Sequence, residues 1–195
     1  MLAAERRRVI TERIKATGQV VVSALSAEFQ VSEETIRRDL ESLEKEGIAT
    51  RIYGGAVLQG NDHATPPYSI RKNTNIEPKV TIARKLSELV CDGDTLMVDE
   101  SSTAAYAVRA IRHLKNITLI TNSLELLREL TGQDGWHVIS TGGTLKPDVL
   151  AQVGPHALRT VRSYHVRYAI LSCRGINDRL GLADSDDEVV EVKQA

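Results

Sequence analysis

The chain has 195 residues, 42% of them hydrophobic and 26% charged, with a formal net charge of −1. That composition belongs to a soluble globular protein able to bury a core, and the length suits two domains better than one or three. Apolar runs such as 20–22 and 117–120 fall far below the roughly eighteen residues a membrane helix needs, and the start MLAAERRRVI lacks the apolar stretch of a secretory signal, so a cytoplasmic protein without membrane partners is expected. Cys91 and Cys173 show no CxxC spacing, and the five histidines form no HxxxH or HExxH pair. Neither a disulfide, a metal site nor a cofactor is expected. Residues 1–58 hold nine of the 25 Lys/Arg and nine of the 26 Asp/Glu. Bulk charge therefore argues nothing for nucleic acid, and any such case rests on local clustering.

In chain order, residues 3–16 read as a helix with Ile10 and Ile14 on one face and Gly18 as a left-handed cap. A short helix follows Ser23, with Leu25 and Phe29 four apart. Ser32 then caps a third helix, with Glu33 and Glu34 in its first turn, where the dipole favours anions. Ile36, Leu40 and Leu43 form its apolar stripe until Gly47. Residues 48–58 read as a hairpin turning at Gly54-Gly55. The polar, proline-containing run QGNDHATPP at 59–67 has linker composition, and the linker is placed over 59–75. From residue 76 apolar strands alternate with helices: a helix carrying Ile82, Leu86, Leu89 and Val90, strands at 95–98, 117–121, 137–140 and 168–172, and helices at 102–113, 124–130 and 155–162. Such alternation predicts an α/β domain with a parallel sheet covered by helices. Its ligand would lie at the loops after the strand ends, 99–103, 121–123, 141–146 and 172–181. The chain closes on DSDDEVVEVKQA, a helix start without a stop signal.

The first 58 residues match a helix-turn-helix unit in which the helix capped by Ser32 reads DNA. At about 100° per residue from Ile36, Glu34, Arg38 and Thr35 lie at about 160°, 200° and 260°, away from the core. Arg37, at about 100°, flanks that face and is aimed at a phosphate rather than a base edge. Arg51 in the hairpin is placed to touch the adjacent backbone as a wing. Asp39 lies beside the core, where it can pair with a nearby arginine. The competing reading is a plain helical bundle with solvated charges. The pattern VS-x-x-TIRRDL-x-x-LE-x-x-G followed by R-x-x-GGA resembles the winged helix-turn-helix signature of the DeoR family of bacterial transcriptional regulators. The resemblance implies a recognition helix bearing Thr35, Arg37 and Arg38, to which the helix reading adds Ser32 and Glu34, a wing with Arg51, Gly54 and Gly55, and a double-stranded DNA operator as partner.

In the second domain, Asp99-Glu100-Ser101-Ser102-Thr103 follows a strand and opens a helix, which makes it an anion site by construction or simply a helix capped by Ser102. Asn122 or Ser123 caps the next helix, and Gly142-Gly143 lets the backbone approach a ligand or merely turn. Gly175 lies in the fourth loop. Tyr68 with Arg71, Lys79, DESST, ITLITNS, TGGTL, VGPHA and GIN also look like the DeoR-family sensor domain, similar in fold to sugar-phosphate isomerases. The resemblance implies a phosphorylated sugar as effector, held by Lys79, Asp99, Ser101, Ser102, Thr103, Asn122, Gly142, Gly143, Gly175 and Lys193. It implies a domain that continues past the EVK run, so a shortened C-terminus is expected; because one small domain would bind an operator weakly, a homo-oligomer is expected as well. Ser101 stands where the family pattern D-S-G-T-T has glycine. The expected function is a repressor of a carbohydrate-metabolism operon relieved by that sugar phosphate. The alternative is an isomerase-like enzyme carrying a DNA-binding domain, for which Asp99 and Glu100 would be the carboxylates. Against it, Ser172-Cys173-Arg174-Gly175 stands where the isomerase pattern has an acidic loop, and no catalytic residue is assigned.

Overall fold

The computed structural model describes residues 2–59, 65–179 and 181–195. They divide into two units, Met1–Pro66 and Pro67–Ala195. Part of the expected linker, 60–64, lies outside the described residues. Among the described residues, no helix is long and apolar enough to cross a membrane.

The first unit opens with α1 (Ala3–Thr17), ended by Gly18 at φ 78° as the expected left-handed cap. Next come β1 (Gln19–Val21), α2 (Val22–Phe29), α3 (Glu33–Lys45), β2 (Ala49–Ile52) and β3 (Gly55–Leu58). Ser32 caps α3 by accepting a hydrogen bond from the Thr35 amide, satisfying one of the orphan donors of the first turn. The strands form one antiparallel sheet in the order β1-β3-β2. The hairpin turn departs from expectation: Ile52 pairs with Gly55, so the turn is Tyr53-Gly54 and Gly55 already belongs to the central strand. Gly54, at φ 83°, supplies the left-handed residue, and Gly55 lies buried between Val21 and Ile52. Ile10, Ile14, Leu25, Ile36, Leu40 and Leu43 make the core. The three-helix and hairpin reading is thus present with one strand, β1, added.

The second unit runs α4 (Tyr68–Arg71), α5 (Ile76–Ser87), β4 (Thr95–Val98), α6 (Ser102–Ala110), β5 (Thr118–Thr121), α7 (Leu124–Glu129) and β6 (His137–Ser140). It continues with β7 (Thr144–Lys146), β8 (Ala151–Val153), α8 (Pro155–Arg162), β9 (Tyr168–Ile170), β10 (Gly175–Asn177), β11 (Gly181–Ala183) and α9 (Asp187–Gln194). β6-β5-β4-β9 form a parallel sheet, as the alternation predicts, while β7-β8 and β10-β11 are separate antiparallel hairpins. β4 shows why both faces are covered. Leu96 and Val98 enter a core with α6 and α7 residues such as Val108 and Leu126, whereas Met97 packs on Ala157, Val161 and Val192 of α8 and α9. α4 falls within the stretch assigned to the linker, yet Tyr68 and Ile70 are buried, so folded structure resumes at residue 68, not 76.

Candidate functional site

On α3 the residues expected to meet DNA share the exposed side. Arg37 pairs with Glu33 at 2.6 Å and lies 3.9 Å from Glu34, and Arg38 Nε lies 3.4 Å from Glu34 Oε1. The Thr35 hydroxyl is 2.9 Å from the Ser32 hydroxyl. Both arginines are thus engaged along the helix in the free protein, but as exposed pairs that exchange readily with a phosphate or a base. Arg51 is turned onto α3, its amide and Nε donating to the Glu44 carboxylate at 2.9 and 2.6 Å, bonds that hold Glu44 below the usual carboxylate range. Asp39 takes no part in this face. It is buried and accepts from Arg6 Nε of α1 at 2.5 Å.

In the second unit the loops after β4, β5 and β9 converge on one charged cluster. Asp99 bridges two of them, accepting from the Ser101 amide at 2.9 Å and the Ser172 amide at 2.7 Å. Glu100 is buried and accepts from Asn122 Nδ2 at 3.1 Å. Lys193 reaches in from α9. Its ammonium lies 2.7 Å from Asp184, 3.4 Å from Glu100 and 3.5 Å from Asp99, and donates to the Ser172 carbonyl at 2.9 Å. Burial, then the neighbouring Asp99, pushes the Glu100 carboxyl above the usual range. Burial opposes the Lys193 charge, but Glu100, Asp184 and Asp99 outweigh it and hold that pKa above the ordinary lysine value. Arg71 faces the same carboxylates, with burial lowering its pKa and Glu100 and Asp99 working the other way. Beside the cluster lies a small recess lined by Asp99, Asn122, Thr141 and Lys193 over Val98, Val161 and Val192.

The helix start at this cluster differs in one detail from expectation. Ser101, not Ser102, is the cap, its Oγ accepting from the Ala104 amide at 3.0 Å. Ser101 adopts φ −73°, extended backbone that any residue takes, so the position imposes no need for glycine. With Ser101 as cap, Ser102 and Thr103 are the first two residues of α6, whose amides point out of the helix end. After β5, Ser123 caps α7, leaving Asn122 for Glu100.

Other candidates have different placements. Lys79 is buried, its ammonium donating to the Arg71 carbonyl and, at 2.6 Å, to the Thr74 carbonyl, where it closes the end of α4. Burial and then Arg71 depress its pKa. Gly143, at φ 114°, makes its close approach to protein: a Cβ there would stand 2.4 Å from the Val153 carbonyl oxygen. Gly142, at φ 64°, has open space around it. Gly175 pairs with Ala183 in the β10-β11 hairpin, which delivers Asp184 to Lys193.

Two family models divide the chain between them. Residues 6–61 match the DeoR-like helix-turn-helix domain, and residues 74–195, more than half the chain, match the DeoR C terminal sensor domain. The chain belongs to the DeoR family of transcriptional regulators. It is a DNA-binding regulator with a sensor domain. Among curated DeoR-family relatives, it is 40% identical over 96% of its length to the HTH-type transcriptional regulator YulB of Bacillus subtilis (strain 168), covering 72% of that protein. It is 31% identical over its whole length to the glycerol-3-phosphate regulon repressor of Escherichia coli (strain K12), covering 77% of it. It is 32% identical over 95% of its length to the L-fucose operon activator of the same organism, covering 76% of that one. For this DeoR-family chain the sensor cluster has three members that sequence reasoning left out of the effector set: Glu100, Asp184 and Arg71. Glu100 and Arg71 stood inside quoted motifs, DESST and the Tyr68–Arg71 pair. Asp184 had no signal beyond an acidic run, in which nothing marks the one carboxylate that meets Lys193.

Proposed function

We propose that this regulator represses an operon for carbohydrate use and releases DNA when a phosphorylated sugar occupies the cluster around Asp99, Glu100, Asn122 and Lys193. The observation that carries the reading is a set of buried charged and amide groups gathered over the start of α6. Two amides of the first helical turn offer donors to a phosphate, and the buried side chains offer both donors and acceptors to sugar hydroxyls. The names of two relatives agree with it, a glycerol-3-phosphate regulon repressor and a putative aga operon repressor.

Sensing rather than turnover follows from how the carboxylates are held. Aldose–ketose isomerisation needs a carboxylate free to take a proton from the substrate carbon. Both Asp99 oxygens hold loop amides, and Glu100 is bound by Asn122 and faces Lys193. A single winged unit offers few phosphate contacts, so operator binding is assigned to a homo-oligomer that reads two half-sites. Coupling requires that the sugar phosphate bind the DNA-free state more tightly than the DNA-bound one. Thermal-shift screening of the full chain against sugar phosphates tests the reading. A ligand should raise the melting temperature and release bound duplex DNA, with no isomerised product formed. Turnover above that of heat-killed protein, or a panel without any stabilising ligand, overturns it.

A further inference from the structure

The outward stripe of α3 is charge-balanced. Glu34, Arg38, Glu41 and Lys45 follow one another four, three and four residues apart, with Arg38 3.4 Å from Glu34 and Lys45 2.9 Å from Glu41. Glu33 and Glu34 also flank Arg37 on the neighbouring edge. A helix laid in the major groove lies between two phosphate strands, where each carboxylate weakens binding to every sequence alike. Exposed pairs one helical turn apart stabilise the helix only weakly in return. An acid on this face gains a strong contact only where a base presents a hydrogen-bond donor.

Glu34 is the carboxylate positioned for that. It lies in the first turn, the part of a recognition helix that reaches base edges, and its side chain is 62% exposed. The other first-turn side chain on this face, Thr35, has its hydroxyl against Ser32. A carboxylate only accepts hydrogen bonds, and the major-groove donors are the cytosine N4 and adenine N6 amines. Adenine sets its N7 acceptor beside that amine, facing the second carboxylate oxygen with a lone pair, whereas cytosine presents N4 without an adjacent acceptor of its own. We infer that Glu34 is a specificity-determining residue that accepts from the N4 amine of a cytosine in the operator. On this basis, which rests on α3 being the recognition helix, Glu34 lowers affinity for DNA in general and raises discrimination at one base pair.

The test is selection from a pool of duplexes with a randomised core, using the full chain and its Glu34→Ala and Glu34→Gln variants, each checked for native circular dichroism. The wild-type chain should enrich a motif with cytosine at one position of each half-site. Glu34→Ala should lose that preference by tenfold or more while binding unselected duplex at least as tightly as the wild-type chain. Glu34→Gln should move the preference toward adenine, because a carboxamide matches the N6 and N7 pair. Variants that enrich the wild-type motif unchanged overturn the assignment and leave Glu34 as a helix-pairing residue. A wild-type chain that enriches no motif overturns the DNA reading of α3 itself, so the two failures are distinguishable.

Discussion

Arg6 and Asp39 form a buried ion pair, Nε to Oδ2 at 2.5 Å, that fastens α1 to the inner side of α3, one residue from the outward-facing Arg38. Arg7 Nη1 adds a second positive charge 4.0 Å from the other Asp39 oxygen. Two buried charges hold each other, and removing one strands the other. Asp39→Ala is expected to destabilise the first unit by about 3–5 kcal/mol, whereas the double change Arg6→Met with Asp39→Leu should recover most of that loss. Urea unfolding of the full chain reads this as a shift in the transition of the first unit. Equal losses in the single and double variants would mean that packing volume, not charge, holds the helices together.

The two arginines of α3 should behave differently on DNA. Arg38→Ala, on the outward stripe, is expected to remove about 1–3 kcal/mol of specific binding and relax the preference at one base pair. Arg37→Ala, on the flank, should weaken all duplexes alike and lower the salt slope by about one. Titrations of specific and random duplexes at several salt concentrations separate the two. Identical losses and slopes for both variants would contradict the division of roles.

How much of this was legible follows from where each signal lies. α3 could be read because Ile36, Leu40 and Leu43 repeat at helical spacing and Ser32 caps locally. The parallel sheet could be read because its strands and helices alternate along the chain. β1 could not, since three residues carry no period and its pairing partner, β3, lies more than thirty residues away. Lys79 illustrates the same limit for a side chain. A lysine between Pro78 and Val80 reads as a surface counter-charge, and only the fold puts the Arg71 and Thr74 carbonyls against its ammonium. Glu100 was visible as a residue but not as a buried one, because burial in a loop is set by what surrounds it: Asn122 from the loop after β5 and Lys193 from α9.

Gly143 and Gly142 are adjacent left-handed glycines with unequal requirements. Gly142→Ala meets open space and should cost about 1–2 kcal/mol of backbone strain alone. Gly143→Ala adds to a comparable strain a Cβ 2.4 Å from the Val153 carbonyl oxygen, a contact that must move β8 or the start of α8. The melting temperature of the second unit should fall markedly further for Gly143→Ala. If the two fall equally, the loop relaxes around the added methyl group.

Glu100 gives a pH dependence with a definite sign. Its folded pKa lies above the ordinary carboxylate value, first through burial and then through Asp99. Its contribution to stability is therefore fully present below the ordinary carboxylate range and is lost as pH rises through the raised value. Glu100→Gln resembles the protonated side chain at every pH. The variant should match the wild-type chain near pH 4 and become progressively more stable relative to it as pH rises toward 8. Melting curves of the two proteins across that range measure the difference, and a difference that is flat with pH would show Glu100 titrating at its ordinary value.

The phosphate of the effector is expected at the Ser101-Ser102-Thr103 turn. Ser101 is committed as the cap, accepting from the Ala104 amide, and its own amide donates to Asp99, so the remaining donors are the Ser102 and Thr103 amides and hydroxyls at the positive end of α6. Changing Ser102 and Thr103 together to Ala removes two hydroxyls but keeps the amides. Affinity for the sugar phosphate should therefore fall by about tenfold, the equivalent of about 1.4 kcal/mol, without vanishing. Operator binding without effector should persist, because the first unit is untouched. Release of DNA should then need about ten times more sugar phosphate, at an unchanged maximum. Lys193→Met is the control: it removes a charge held among Asp99, Glu100 and Asp184 and should abolish the response where the double alanine variant only weakens it. A release curve that does not move in the double variant, with native circular dichroism, would place the phosphate on another loop and make the open Gly142 turn the next position to substitute.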